Sequence, residues 1–295
     1  MNKVWPSGTS QKIVLATDLT LACDRALDRA IQLARDWKAS LIVLHVVEAD
    51  AKRLTGAPRP PRSAENEMAR IIRSDHGTGG LEIEQRLSLG DPVGRIVALA
   101  QETQSGLIVI GLAHAKGIGE KLLGSTAGKL LRYASCPVLS VRGRVDGAYS
   151  AVAVGTDFSK PSRVALDWAL RLFHGSKYWL VHAYETPFGS ALYSDYTLPR
   201  EFEDKEAIEV FLHEALQRFA AEGGEPPFSI QPFYWPGRPD DAFSAFISSH
   251  NPHLVVIGTH GRSGLKRLTI GSVAEQLLNT LPCTNIWRRG HLART

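Results

Sequence analysis

Short runs of consecutive apolar residues alternate along this chain with stretches whose apolar positions recur at helical spacing. Ile13 to Ala16 is the first such run, and Ala22, Ala26, Ala30, Leu33, Ala34 and Trp37 follow at helix period. The pattern predicts a buried strand and then an amphipathic helix that starts behind Thr20 as its cap. Leu41 to Val47 is the next predicted strand. A variable segment follows and contains "SAENEMARIIRSDHG", read as helical. Asp91-Pro92 predicts another helix start, with an acid at the N-cap and proline at the first helical position. Leu107 to Ile110 is continuously aliphatic, as suits a parallel strand covered on both faces, and Val138 to Val141 is the last short strand.

The same order is then written again. "KIVLATDLT" at 12 to 20 matches "SAVAVGTDFS" at 150 to 159, and "LIVLHVVE" at 41 to 48 matches "YWLVHAYE" at 178 to 185. Gly90 to Gly111 and Gly237 to Gly258 are both 21 positions apart. "GSTAGKLLRYASCPVLSV" matches "GSVAEQLLNTLPCTNIWR". In the second copy Ser159 is the predicted cap, with Pro161 in the first turn and Gly175 past the helix end. The variable segment is longer there. Residues 185 to 211 carry more aromatics and prolines than their counterpart and are expected to form a lid or a partner surface, or a solvated linker into a helix. The predicted fold is α/β: two tandem open doubly wound domains, each a five-stranded parallel sheet flanked by helices. The predicted domains are residues 1–147 and 148–295, joined near "RGRVDGAYS".

Composition changes this picture little. The 295 residues are 44% hydrophobic and 22% charged, ordinary globular material for two domains. Residues 1 to 147 carry a net charge of +5 and the remainder −1, far from the basic stripe of a nucleic-acid binder. Cys23, Cys136 and Cys283 have no CxxC spacing, which argues against a disulfide framework or a zinc knuckle. No long apolar stretch precedes Asp18 and no run approaches the ~20 residues that span a bilayer. No signal peptide, no membrane contact and a cytoplasmic location are expected.

The chemistry concentrates in "GTHGRSGLKRLTIGS", residues 258 to 272, directly after the apolar run Leu254 to Ile257. Gly258 and Gly261 are followed nine residues later by Gly271-Ser272, which opens the good helix "SVAEQLLNTL". A residue without Cβ lets backbone N–H groups approach an anion closely, and a helix N-terminus adds free donors and a positive dipole end. Arg262, Lys266 and Arg267 add charge nearby. The spacing is neither a Walker A loop nor GxGxxG. This predicts a phosphate site.

With these residues in view, the chain resembles a tandem universal stress protein from Lys12 to Val141 and again from Ala151 to Arg288. The family's nucleotide motif stands as Gly258, Gly261, Gly271 and Ser272. In the family's ATP-binding members the Asp after strand 1 and the residue after the strand 2 His contact the nucleoside. The resemblance therefore implies Asp157 and Ala183 in the second copy, and Asp18 and Val46 in the first. It also implies that Val273 lies against the phosphates. His260, between the loop glycines, either approaches a phosphate or faces water. By their position Asp18 and Asp157 suit a turn or capping role as well as they suit ribose binding. His45 and His182 lie in apolar strands and fit core positions better than ligand positions.

The first copy departs from the motif. It reads Gly111, then His114 where the second glycine is expected, then Gly124-Ser125. A Cβ and ring at His114 would occupy phosphate space, so a weaker or lost site is expected there. No residue set suggests acid/base or nucleophilic catalysis, and no metal-ligand spacing is present. The expected function is an ATP-binding stress-response regulator, with ATP, alone or with Mg²⁺, acting as a conformational or partner switch. The alternatives are a nucleotide-independent interaction scaffold and a weak ATP hydrolase. The expected partners are an adenine nucleotide, an unidentified protein and a second copy of the chain.

Overall fold

The computed structural model describes residues 9–48, 62–74, 80–112, 126–142, 147–173, 175–184, 197–225, 229–259, 271–281 and 285–288. The chain divides into two compact units, one ending at Ala148 and the next beginning at Tyr149.

The first unit runs β1 (Ser10–Thr17), α1 (Leu21–Trp37), β2 (Ser40–Val47), α2 (Arg62–Ser74), β3 (Ile83–Leu89), α3 (Pro92–Glu102), β4 (Ser105–Gly111), α4 (Thr126–Tyr133) and β5 (Val138–Val141). Its strands are ordered β3-β2-β1-β4-β5, and every neighbouring pair is parallel. Right-handed crossovers with this order put α1 and α2 on one face and α3 and α4 on the other. The central strands are therefore covered twice, and Ile13 to Leu15 and Leu107 to Val109 have no exposed surface. Fully burying such a side chain contributes roughly 1.5–3 kcal/mol.

The second unit repeats the order with β6 (Ala151–Thr156), α5 (Lys160–Leu172), β7 (Lys177–Tyr184), α6 (Thr197–Ala221), β8 (Ile230–Pro236), α7 (Pro239–His250), β9 (Leu254–Gly258), α8 (Ser272–Thr280) and β10 (Asn285–Arg288). Its sheet is ordered β8-β7-β6-β9-β10, again all parallel. Helices α5 and α6 pack together on one face, and α7 packs with α8 on the other.

Most predicted boundaries hold for identifiable local reasons. Asp91 caps α3 by accepting from Gly94 N at 2.6 Å, and Ser159 caps α5 by accepting from Ser162 N at 3.4 Å. One expectation changes. Thr20 occupies the N-cap position of α1 but makes no side-chain capping bond; its hydroxyl is turned toward Asp18, to which it donates at 2.6 Å. As expected, Gly175 lies past the end of α5, which stops at Leu172 with Phe173 as its C-cap, and it sits in a turn at φ +77°. The long second-copy segment, expected as a lid, a partner surface or a linker into a helix, is helical from Thr197 onward, and Ile208 and Phe211 are buried in the core of the unit. Residues 185–196 of that segment lie outside the described residues. The third strand of each copy has no strong sequence signature, because β3 and β8 have a single strand neighbour. Glu84, Gln85 and Arg86 in β3, and Gln231 and Pro232 in β8, face solvent and break up the apolar run.

Candidate functional site

Strand order reverses between β6 and β9, and ligands of doubly wound sheets lie beyond the strand ends at such a point. The two strands stay paired as far as Val154 opposite Val256. Past that pair, Gly155, Thr156 and Asp157 on one side and Ile257, Gly258 and Thr259 on the other line a crevice. Its walls are Val181 and Ala183 of β7, Pro239, Ala242 and Phe243 of α7, and Gly271, Ser272, Val273, Ala274 and Leu277 at the start of α8. The empty space amounts to about 760 Å³, including the part open to solvent.

Two glycines make these walls possible by close approach. A Cβ on Gly258 would stand 2.9 Å from the carbonyl carbon of Pro161, so the first turn of α5 packs directly on the end of β9. A Cβ on Gly155 would stand 2.9 Å from Cζ of Phe243, whose ring underlies β6.

The residues after β6 form a tight turn. Phe158 has φ +63°, an uncommon conformation for a bulky side chain. Thr156 Oγ1 accepts from Phe158 N at 3.0 Å, and Asp157 Oδ1 accepts from Ser159 N at 3.1 Å. The first unit repeats the turn. Leu19 has φ +62°, Thr17 Oγ1 accepts from Leu19 N at 3.0 Å, and Asp18 Oδ1 accepts from Thr20 N at 2.9 Å. Both aspartates thus perform the turn role that their position suggests. Both strand histidines are structural as well. Nδ1 of His182 donates to the Thr156 carbonyl at 2.9 Å, and Nδ1 of His45 donates to the Thr17 carbonyl at 2.8 Å. His182 is buried, lies 4.4 Å from the Phe158 ring and has Nε2 3.6 Å from Asp204 of α6.

The start of α8 brings backbone donors to the crevice. Gly271 is the N-cap, its N–H donates to the Thr259 carbonyl at 2.9 Å, and Glu275 N reaches back to Gly271 O at 2.9 Å. Gly271 itself has no side chain with which to cap this helix. The backbone N–H groups of Ser272, Val273 and Ala274 therefore have no acceptor within the helix, and these residues line the crevice. Free donors at a positive dipole end favour an anion.

Of the residues singled out in the second copy, Asp157, Ala183, Gly258, Gly271, Ser272 and Val273 come together around this one crevice. His260 and Gly261 lie outside the described residues, as do Arg262, Lys266 and Arg267. In the first unit Asp18 follows β1, Val46 pairs with Ser88 near the end of β2, and Gly111 pairs with Val141 at the end of β4. His114, Gly124 and Ser125 lie outside the described residues. Burial pushes the Asp18 carboxyl up, but hydrogen bonds from Thr20 and Cys23 outweigh this and hold it below its ordinary value. The wall from α7 was missed from sequence. Gly155 within an apolar strand run, and Pro239 opening a helix, were the available signals. Among the described residues no group of His, Cys, Asp and Glu is arranged to hold a metal ion, and no helix is long and apolar enough to cross a membrane.

The model of the universal stress protein family matches residues 9–142 and again 148–285. The chain belongs to the universal stress protein family. Universal stress proteins Mb2028c of Mycobacterium bovis and Rv2005c of Mycobacterium tuberculosis are each 28% identical over 287 residues, covering 90% of this chain and 93% of the relative. Universal stress protein YxiE of Bacillus subtilis is 29% identical over 145 residues, which is 44% of this chain and 98% of the relative. The crystal structure of a universal stress protein from Archaeoglobus fulgidus superposes with a TM-score of 0.64 at 20% identity, covering 96% of this chain and 99% of that one. The tandem α/β fold of the family is thus shared over nearly the full length.

Proposed function

We propose that the second unit binds ATP or a related adenine nucleotide in this crevice, and that the nucleotide acts as a conformational or partner switch in a stress-response regulator. One observation carries the reading: six residues chosen for a nucleotide from sequence line a single crevice at the glycine-capped start of α8. Val181, Ala183, Phe243 and Leu277 offer an apolar surface to a flat base. Asp157 brings a carboxylate to the crevice that suits ribose hydroxyls. The N–H groups of Ser272 to Ala274 suit the phosphates. A Mg²⁺ accompanying ATP would be held through phosphate oxygens and water.

Calorimetry of the intact chain with ATP, ADP and AMP tests this. Saturable heat is expected, with affinity rising with the number of phosphates. Gly261→His, which writes the first copy's residue into the second copy's motif, is expected to weaken ATP about thirtyfold while thermal unfolding without nucleotide is unchanged. Silence with all three nucleotides, or a Gly261→His chain that binds ATP as the parent does, overturns the reading. The interaction scaffold would then stand in its place.

A further inference from the structure

A three-residue network stands beside the crevice on the two helices that wall it. Arg238 is the N-cap residue of α7 and directly precedes Pro239, a lining residue. Its Nε donates to Asp240 Oδ1 at 3.1 Å, and its Nη2 donates to Gln276 Oε1 of α8 at 3.0 Å. Gln276 Nε2 donates in turn to Asp240 Oδ2. The three side chains close a ring that ties the start of α7 to α8. Gln276 follows Ser272 by four positions, so it lies on the same side of α8 one turn further along. Through Gln276 the guanidinium is tied to α8 about one 5.4 Å turn along the helix axis from Ser272.

A surface arginine that only neutralised Asp240 would need no second acceptor on another helix. Here two acceptors fix the guanidinium plane. Its side chain remains 68% exposed, and its Nη1 has no partner among the described residues. A planar fork with one edge held and one edge open suits phosphate oxygens. Asp240 offsets part of the charge through its ion pair with Arg238, but it holds the Nε side and leaves the outer edge of the fork open.

We propose that Arg238 reads the terminal phosphates of the bound nucleotide, with Gln276 and Asp240 positioning its guanidinium. The inference rests on the nucleotide reading of the crevice and adds a preference for ATP over AMP. The test is calorimetry of the full chain and its Arg238→Gln and Gln276→Leu variants with ATP and with AMP. Arg238→Gln is expected to weaken ATP about tenfold and to leave AMP within about twofold. Gln276→Leu, which keeps the charge but removes one of the two acceptors that fix the guanidinium, is expected to lose part of the same discrimination. An Arg238→Gln chain with parental ATP affinity, or one that loses ATP and AMP equally, overturns the role of Arg238 while leaving the crevice a nucleotide site. A parent chain that binds neither nucleotide overturns both readings together. Should Arg238→Gln fail to fold, Gln276→Leu alone decides, with an unchanged ratio of ATP to AMP affinity counting against the proposal.

Discussion

Cys23 lies in the first turn of α1, behind the Asp18 turn, and is 7% exposed. Burial pushes its thiol up from an ordinary value of 9.0 to about 11, because a thiolate would lose its hydration there. At pH 8 only about one molecule in a thousand then carries the thiolate, the species that reacts. Native chain treated with iodoacetamide at pH 8 is expected to leave the Cys23 peptide unmodified by mass spectrometry, whereas guanidinium-unfolded chain labels it fully. Equal labelling rates in the two states would contradict the burial argument. The same shift has a sign in stability. The unfolded chain ionises this thiol first, near pH 9, so its contribution is present below pH 9 and declines as pH rises toward 11.

Gly258 serves packing between elements at least as much as it serves a loop. Its missing Cβ lets the first turn of α5 lie on the end of β9, with Pro161 backbone atoms at 2.9 and 3.0 Å from the Cβ position. Backbone cannot rotate away as a side chain can. Gly258→Ala is therefore expected to lower stability by about 1–3 kcal/mol, read as a fall in the urea midpoint at constant slope. Wild-type stability in Gly258→Ala would mean that α5 shifts without cost. The α5–α6 pair has a different cement. Arg171 is 4% exposed, donates to Asp167 at 2.8 Å and to Glu222 at 2.6 Å, and lies over the Phe219 ring. Both carboxylates are partly hydrated. What the arginine stem and ring contact contribute is thus packing as much as charge.

At the scale of the whole molecule the two copies share a fold and a turn but differ in their loops. The Thr-Asp turn is built twice with nearly the same φ, on Leu19 and on Phe158. The glycine motif is intact once, with His114 in place of the second glycine in the first copy. One nucleotide per chain is the expected stoichiometry, and His114→Gly is expected to raise it toward two. A parent chain that already binds two would make the first copy a working site. Saturation should also stabilise the chain by about 2.7 kcal/mol at a hundredfold excess over Kd, seen as a rise in Tm of the nucleotide-bound unit.

Sequence alone determined the repeat, the alternation of strand and helix, the caps at Asp91 and Ser159 and the family motif. Each of these is local: a periodicity, a capping residue or a fixed spacing of glycines. It did not locate β3 and β8, because an edge strand has a solvated side and loses the apolar run that marks β1 and β4. It did not show that Thr20 turns toward Asp18 rather than capping α1, since the side chain takes one direction and the turn geometry decides which. The crevice itself belongs to the tertiary structure. Asp157, Ala183, Gly258 and Ser272 are separated by as much as 115 positions, and only the reversal of strand order between β6 and β9 brings them to one place. The α7 wall and the Arg238–Asp240–Gln276 ring were invisible for the same reason: they depend on which two helices the sheet sets side by side.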